Sequence, residues 1–186
     1  MHAREWVSFA FCLYLINDLL NGEVAAWTND IHWVIYPMLN PDGYQYSWTN
    51  DRYWRKNRNP NNGDRCKGVD LNRNYDIEWM KAGTSSYECH VTYGGKGPFS
   101  EPESRFHRDH MLTIENKKAY LTYHAYSEFI IYPYSSSYAA EAYNKVELNR
   151  LANDMQYAIK VTLFKFEYVF KYIFNIFLHI FILFSL

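Results

Sequence analysis

Met1-His2-Ala3-Arg4-Glu5-Trp6 opens a chain of 186 residues and leads directly into Val7–Leu20. That second stretch reads as a helix, because Val7, Ala10, Phe11, Tyr14, Leu15 and Leu19 recur at helical spacing and Asn21-Gly22 supplies a stop. Cys12 lies among these apolar positions and reads as a small buried hydrophobe. Just ahead of the helix, His2 and Glu5 stand three positions apart. Imidazole nitrogen and carboxylate oxygen both suit zinc, and a catalytic zinc site uses three protein donors plus a position open to water. A His-x-x-Glu pair alone is common by chance, so a solvated pair near a chain end is the plain alternative. No charged and apolar leader precedes His2. A ligand at position 2 also has no strand before it to hold it, so this reading expects further N-terminal sequence.

Outward from the opening, Ile31-His32-Trp33-Val34-Ile35-Tyr36-Pro37 has the β-branched and aromatic make-up of a buried strand ending at proline. Asn40-Pro41-Asp42-Gly43 reads as a turn, with Pro fixing φ and Gly accepting φ > 0. A helix followed by a strand and a turn favours an α/β layer architecture. Residues 50–76 then form a long, polar, Asn-rich region of the kind that is usually functional. Within it, Arg52-Tyr53-Trp54-Arg55-Lys56-Asn57-Arg58 interleaves cations with two aromatics. A nucleic-acid patch is one reading, but no basic face elsewhere extends it. Arg73, flanked by Asn72 and Asn74, suits bidentate capture of a carboxylate; an Asp–Arg pair internal to the loop is the equal alternative.

The bulk properties bound the answer. This length supports one domain with a real core. A net charge of −1 and a pI near 6.6 give no reason to expect a polyanionic partner. Aromatics make up 19% of the residues, and the 18 Tyr favour extended segments. Cys66 and Cys89 bracket the Asn72-Arg73 segment and belong to no C-x-x-C pair, which argues against zinc ribbons and thioredoxin chemistry. A bridge between them, if formed, stiffens that segment, contributes roughly 3 kcal/mol and implies an oxidising compartment.

Ser100-Glu101-Pro102-Glu103 reads as a helix start with Ser100 as N-cap, running to about Thr113. Ala119–Ser127 is strand-like with His124 near its end, and Ile130–Tyr134 is a second extended segment. In open α/β sheets ligand sites lie at the carboxyl ends of strands, where a third metal donor is expected. A lone strand histidine is usually structural; a short-spaced pair plus one distant His is a zinc-hydrolase layout. A helix over Ala139–Lys160 closes the regular part.

Five motifs now stand in register: His2-Ala3-Arg4-Glu5-Trp6, Asn40-Pro41-Asp42-Gly43-Tyr44, Arg52–Lys56, Gly68–Asn74 and His124-Ala125-Tyr126-Ser127. In order and spacing they resemble the zinc metallocarboxypeptidases of the carboxypeptidase A/B group, over residues 2–160. The HAREW form and the two cysteines are similar to the secreted digestive branch. The resemblance implies an α/β fold with a mixed twisted sheet flanked by helices, here truncated. It implies one Zn²⁺ per chain held by His2, Glu5 and His124, polarising the scissile carbonyl and acidifying a water. It makes Arg55 the stabiliser of the oxyanion and Asn72 and Arg73 the grip on the substrate's terminal carboxylate. Arg4 and Tyr126 match positions that contact substrate farther out, with a non-proline cis bond before Tyr126. It also implies a Cys66–Cys89 disulfide, an extracellular location, a monomer, and peptide or protein C-termini as partners, with no nucleic acid.

Departures from the pattern lie beyond residue 160. The family's general-base glutamate, mobile tyrosine and specificity pocket have no recognisable counterpart; Glu167 only superficially resembles the base. Residues 161–186 form an aromatic-rich tail, read as outside the family domain and as translation past an exon end. Lys165, Glu167, Lys171, Asn175 and His179 interrupt it, so it offers no membrane span. Two functions remain: a zinc exopeptidase with an incomplete catalytic domain, and an inactive relative that binds zinc and peptide C-termini. The side-chain preference, aliphatic, aromatic or basic, has no readable determinant.

Overall fold

Helix α1 spans Trp6–Asn21, as the spacing predicts, and stops at Gly22, whose N–H reaches back to Asp18 O at 2.8 Å. The computed structural model describes residues 1–60, 65–126, 129–134, 141–165 and 177–181. Its chain divides into two units, Met1–Ile114 and Glu115–Leu186.

In the first unit, α1 is followed by a short 3₁₀ turn at Ala25–Asn29 and by helix α2, Pro41–Thr49. The expected Asn40–Gly43 turn is in fact the start of α2. Asn40 caps the helix by accepting from Gly43 N–H at 3.0 Å, and Pro41 occupies the first helical position. Turn and helix-start chemistry use the same residues, and here the Tyr44–Thr49 segment continues the helix. Aromatic packing joins the two helices. Trp6 stacks on Trp48 with ring centroids 4.1 Å apart, and Phe9 meets Tyr44 edge-on at 5.1 Å.

The strand expected over Ile31–Pro37 does not form among the described residues. The segment carries no ladder pairing, and Ile31 is half exposed. β-Branched composition favours an extended backbone, but a strand needs a neighbour to pair its N–H and C=O groups. Only an isolated Ser85–Tyr93 bridge is described in this unit.

What holds residues 50–100 is instead a set of buried amides. Asn74, fully buried, donates to Gly94 O, Gly97 O and Ser100 Oγ, and accepts from Glu101 N–H and Ser104 Oγ. The disulfide Cys66–Cys89 closes the outer part of this region. Helix α3 covers Pro102–Thr113, ending where expected, but its N-cap is Glu101 and not Ser100. Ser100 is one residue too early because its hydroxyl is engaged by Asn74 and donates to Glu101 Oε1.

In the second unit, β1 (Tyr120–His124) pairs antiparallel with β3 (Phe177–Phe181), and β2 (Ile130–Ile131) pairs parallel with β3. Helix α4, Lys145–Lys165, starts later than Ala139 and runs through the boundary expected between residues 160 and 161. Ala142 and Leu148 form the core, packed by Leu121, Tyr123, Ile130, Tyr132, Leu151 and Met155. Residues 177–181 of the tail thus pair within this sheet; Glu167 and the rest of the tail beyond Lys165 lie outside the described residues. No helix among the described residues is long and apolar enough to cross a membrane.

Candidate active site

The HAREW stretch is fixed from three sides before any ligand is considered. Ala3 N–H donates to Arg55 O at 3.1 Å, Trp6 Nε1 donates to Ser47 Oγ at 2.9 Å, and Asn40 Nδ2 donates to Met1 O at 3.0 Å. His2 and Glu5 are thereby buried at the foot of α1, exposed by only 3% and 5%. His2 Nδ1 lies 2.7 Å from Glu5 Oε1, and His2 Nε2 lies 3.2 Å from Asp70 Oδ1.

Asp70, fully buried, is the centre of charge. Arg55 forks onto its Oδ2 through Nε at 2.9 Å and Nη2 at 2.8 Å, with Nη1 3.9 Å from Glu5. Burial raises the Asp70 carboxyl pKa, but the hydrogen bond and charge of His2, then Arg55 and Arg73, outweigh it and hold the group at about 2. Asp70 also caps the 3₁₀ turn Leu71–Arg73 by accepting from Asn72 N–H at 3.1 Å. Asn72 and Arg73 follow at once. Arg73 donates from Nε to Gly83 O at 2.9 Å and from Nη1 to Asn72 O at 2.8 Å.

The other cations of Arg52–Arg58 have partners inside the unit. Arg52 donates to Arg4 O at 2.8 Å and lies 3.8 Å over the Trp6 ring. Lys56 is buried with Nζ on Glu88 O at 2.7 Å, and burial lowers its pKa. Arg58 covers Tyr46 at 3.5 Å. The run packs cations on aromatic faces around Arg55, with Lys56 buried and Arg52 at the surface.

His2, Glu5 and Arg55 are therefore brought together within the first unit, with Asn72 and Arg73 adjoining through Asp70. Arg4 is half-buried beside them. In the second unit, His124 ends β1 and is buried, with Nε2 3.3 Å from Thr122 Oγ1. Tyr126 is largely exposed, and the Ala125–Tyr126 bond is cis, the form the resemblance implies. An Asp–Arg pair internal to the 50–76 loop does form, with Arg55 and not Arg73 as the arginine that forks onto Asp70. Asp70 also meets His2, a partner that no local spacing reveals.

The donor chemistry fits a borderline divalent metal. A ligating histidine keeps its second ring nitrogen on a carboxylate or carbonyl, and His2 holds one nitrogen against Glu5 and the other against Asp70. His2 and Glu5 thus offer an imidazole and a carboxylate side by side, next to the guanidinium that Asp70 fixes. The family model for zinc carboxypeptidase matches residues 1–176, and the chain belongs to that family. It is 42% identical over 157 residues to a zinc carboxypeptidase of Simulium vittatum, covering 82% of this chain and 51% of the relative. To human carboxypeptidase A6 it is 43% identical over 148 residues, covering 75% of this chain and 33% of the relative. A solved structure of bovine thrombin-activatable fibrinolysis inhibitor, in complex with tick carboxypeptidase inhibitor, superposes with a TM-score of 0.75 at 36% identity. That superposition covers 87% of this chain and 55% of the other. The chain thus spans about half or less of the length of these relatives.

Proposed function

We propose that this chain carries the metal-binding and carboxylate-gripping part of an enzyme that hydrolyses the C-terminal peptide bond of peptides or proteins. The observation that carries the reading is the buried His2–Glu5 pair with Arg55 and Asp70 behind it. His2, Glu5 and His124 are the proposed donors for one Zn²⁺. Zinc, when bound, supplies a Lewis acid for the scissile carbonyl and a more acidic water.

The chain's own residues do the rest. Asp70 faces His2 Nε2 and orients the ring, so that Nδ1, on the side of Glu5, is the nitrogen proposed to donate. Asp70 pins the Arg55 guanidinium through Nε and Nη2, which leaves Nη1 donors for the oxyanion that develops on the former carbonyl oxygen. A preorganised donor of this kind is worth about 3–4 kcal/mol in the transition state. Arg73, with Asn72, grips the terminal carboxylate, which restricts attack to the last peptide bond. Its Nε and one Nη1 hydrogen are engaged, so the grip uses the Nη1/Nη2 end. Arg4 and Tyr126 are proposed substrate contacts farther from the scissile bond. The disulfide fits an extracellular setting for the proposed enzyme.

The test compares blocked dipeptide acids with their C-terminal amides on the zinc-loaded chain by calorimetry. Acids are expected to bind at least about tenfold tighter than amides, with the difference lost in Arg73→Ala. Equal binding of acid and amide would overturn the reading. Release of free C-terminal amino acid assigns hydrolysis to this stretch itself. Binding without release favours the alternative, a relative that holds zinc and peptide C-termini without cutting.

A further inference from the structure

Asn57 is 1% exposed and uses its backbone N–H and both polar side-chain atoms on two other segments. Its N–H donates to Val69 O at 3.0 Å, and its Oδ1 accepts from Val69 N–H at 2.7 Å. The two residues are clamped at two points. Gly68 N–H donates to Asn59 O at 2.7 Å just beyond, extending the clamp. This closeness requires glycine at 68, where φ is +83° and a Cβ would sit 2.3 Å from Asn57 O.

On the other side, Asn57 Nδ2 donates to Glu101 Oε2 at 2.7 Å and to both Glu103 oxygens at 3.1–3.2 Å. Those carboxylates fix the amide orientation. A flipped Asn57 would place its oxygen against two acids and its NH₂ against the Val69 N–H. Glu101 is itself held by Asn59 Nδ2 at 2.7 Å and Ser100 Oγ at 2.7 Å.

The clamp sits between the two residues that matter. Arg55 lies two positions before Asn57, and Asp70 lies one position after Val69. The two Asn57–Val69 hydrogen bonds fix how the segments carrying Arg55 and Asp70 face one another. That spacing decides whether the Arg55 guanidinium meets the Asp70 carboxylate. We propose that Asn57, braced by Glu101 and Glu103, is a positioning residue that sets Arg55 against Asp70 and so aims the guanidinium at a tetrahedral oxyanion. The last step rests on the proposed role of Arg55; the pairing of Arg55 with Asp70 does not.

The test uses two readouts on the zinc-loaded chain. The first is the ¹⁵N–¹H signal of Arg55 Nε and its protection from exchange. The second is affinity for a phosphonate analogue of a blocked dipeptide, beside affinity for zinc by chelator competition. Asn57→Asp keeps the shape and the acceptor for Val69 but places a third carboxylate against Glu101 and Glu103. It is expected to abolish Arg55 Nε–H protection and weaken the phosphonate about tenfold, the scale of one buried hydrogen bond, with zinc affinity falling less than in Asp70→Asn, where the carboxylate facing His2 is removed outright. Adding Glu101→Gln lets an amide at 101 donate to the carboxylate at 57, which restores protection and most of the phosphonate affinity. Retained Arg55 protection in Asn57→Asp, or no recovery in the double variant, overturns the inference. If Arg55→Ala leaves phosphonate affinity unchanged, the oxyanion role of Arg55 fails, while the exchange readout still decides what Asn57 does.

Discussion

Asp70 shows how much one side chain organises. It lies against His2 Nε2, receives two Arg55 nitrogens and caps the turn that begins Asn72-Arg73. Replacing it by Asn keeps the shape but removes the charge that balances Arg55 and orients His2. We expect Asp70→Asn to weaken zinc binding by about 10–100-fold, the range for such outer partners of a ligand, measured by chelator competition. Unchanged zinc affinity would show that His2 needs no orienting carboxylate. The residue identity was legible as part of Gly68–Asn74, but its partner was not, because Arg55 reaches it only after the chain doubles back.

Among the elements, α2 and α3 depend on side chains at their starts. Asn40 is fully buried, caps α2 and donates to Met1 O and Lys56 O. Asn40→Ala loses the cap and leaves two buried carbonyls with one partner fewer, so a loss of about 3 kcal/mol is expected in chemical denaturation. Gly43→Ala is expected to cost roughly 1–3 kcal/mol by overpacking, since its Cβ would lie 2.5 Å from the Asn40 side chain and 2.6 Å from Lys56 O. On α3, His107 is buried against Tyr36 and pairs through Nδ1 with Tyr75 Oη at 2.6 Å. Burial first, then the N-terminal ammonium and His110, lower its pKa from 6.5 to about 4. The unfolded chain therefore binds a proton that the folded chain refuses. This contribution is fully present above pH 6.5 and is lost as pH falls towards 4, by up to about 3 kcal/mol. Melting temperatures over that range should fall with acid, and His107→Gln should flatten the decline.

For the whole molecule, two links are testable without any substrate. The Cys66–Cys89 bridge closes a sequence separation of 23, so replacing both cysteines by serine should lower stability by about 3 kcal/mol in the chain-entropy model. Zinc that binds only the folded chain stabilises it by about 4 kcal/mol at a thousandfold excess over its dissociation constant. The melting temperature should therefore rise with zinc, and the rise should shrink in His2→Ala and in His124→Ala alike. A full zinc response in His124→Ala would remove His124 from the donor set.

Local chemistry was enough for α1, whose apolar spacing and Gly22 stop need nothing beyond the neighbouring turns, and for the end of α3 at Thr113. For His2, Glu5 and His124 local chemistry offers only residue types suited to a metal; that they form one donor set is what the family resemblance implies. Local chemistry was not enough where a group's state depends on a distant partner. Ile31–Tyr36 has strand composition but no described ladder, and Arg52, Arg55, Lys56 and Arg58 are taken up by the Trp6 ring, Asp70, the Glu88 carbonyl and the Tyr46 ring. Backbone pairing and charge compensation are satisfied across space, so tertiary structure alone decided which arginine met Asp70 and which asparagine held it there.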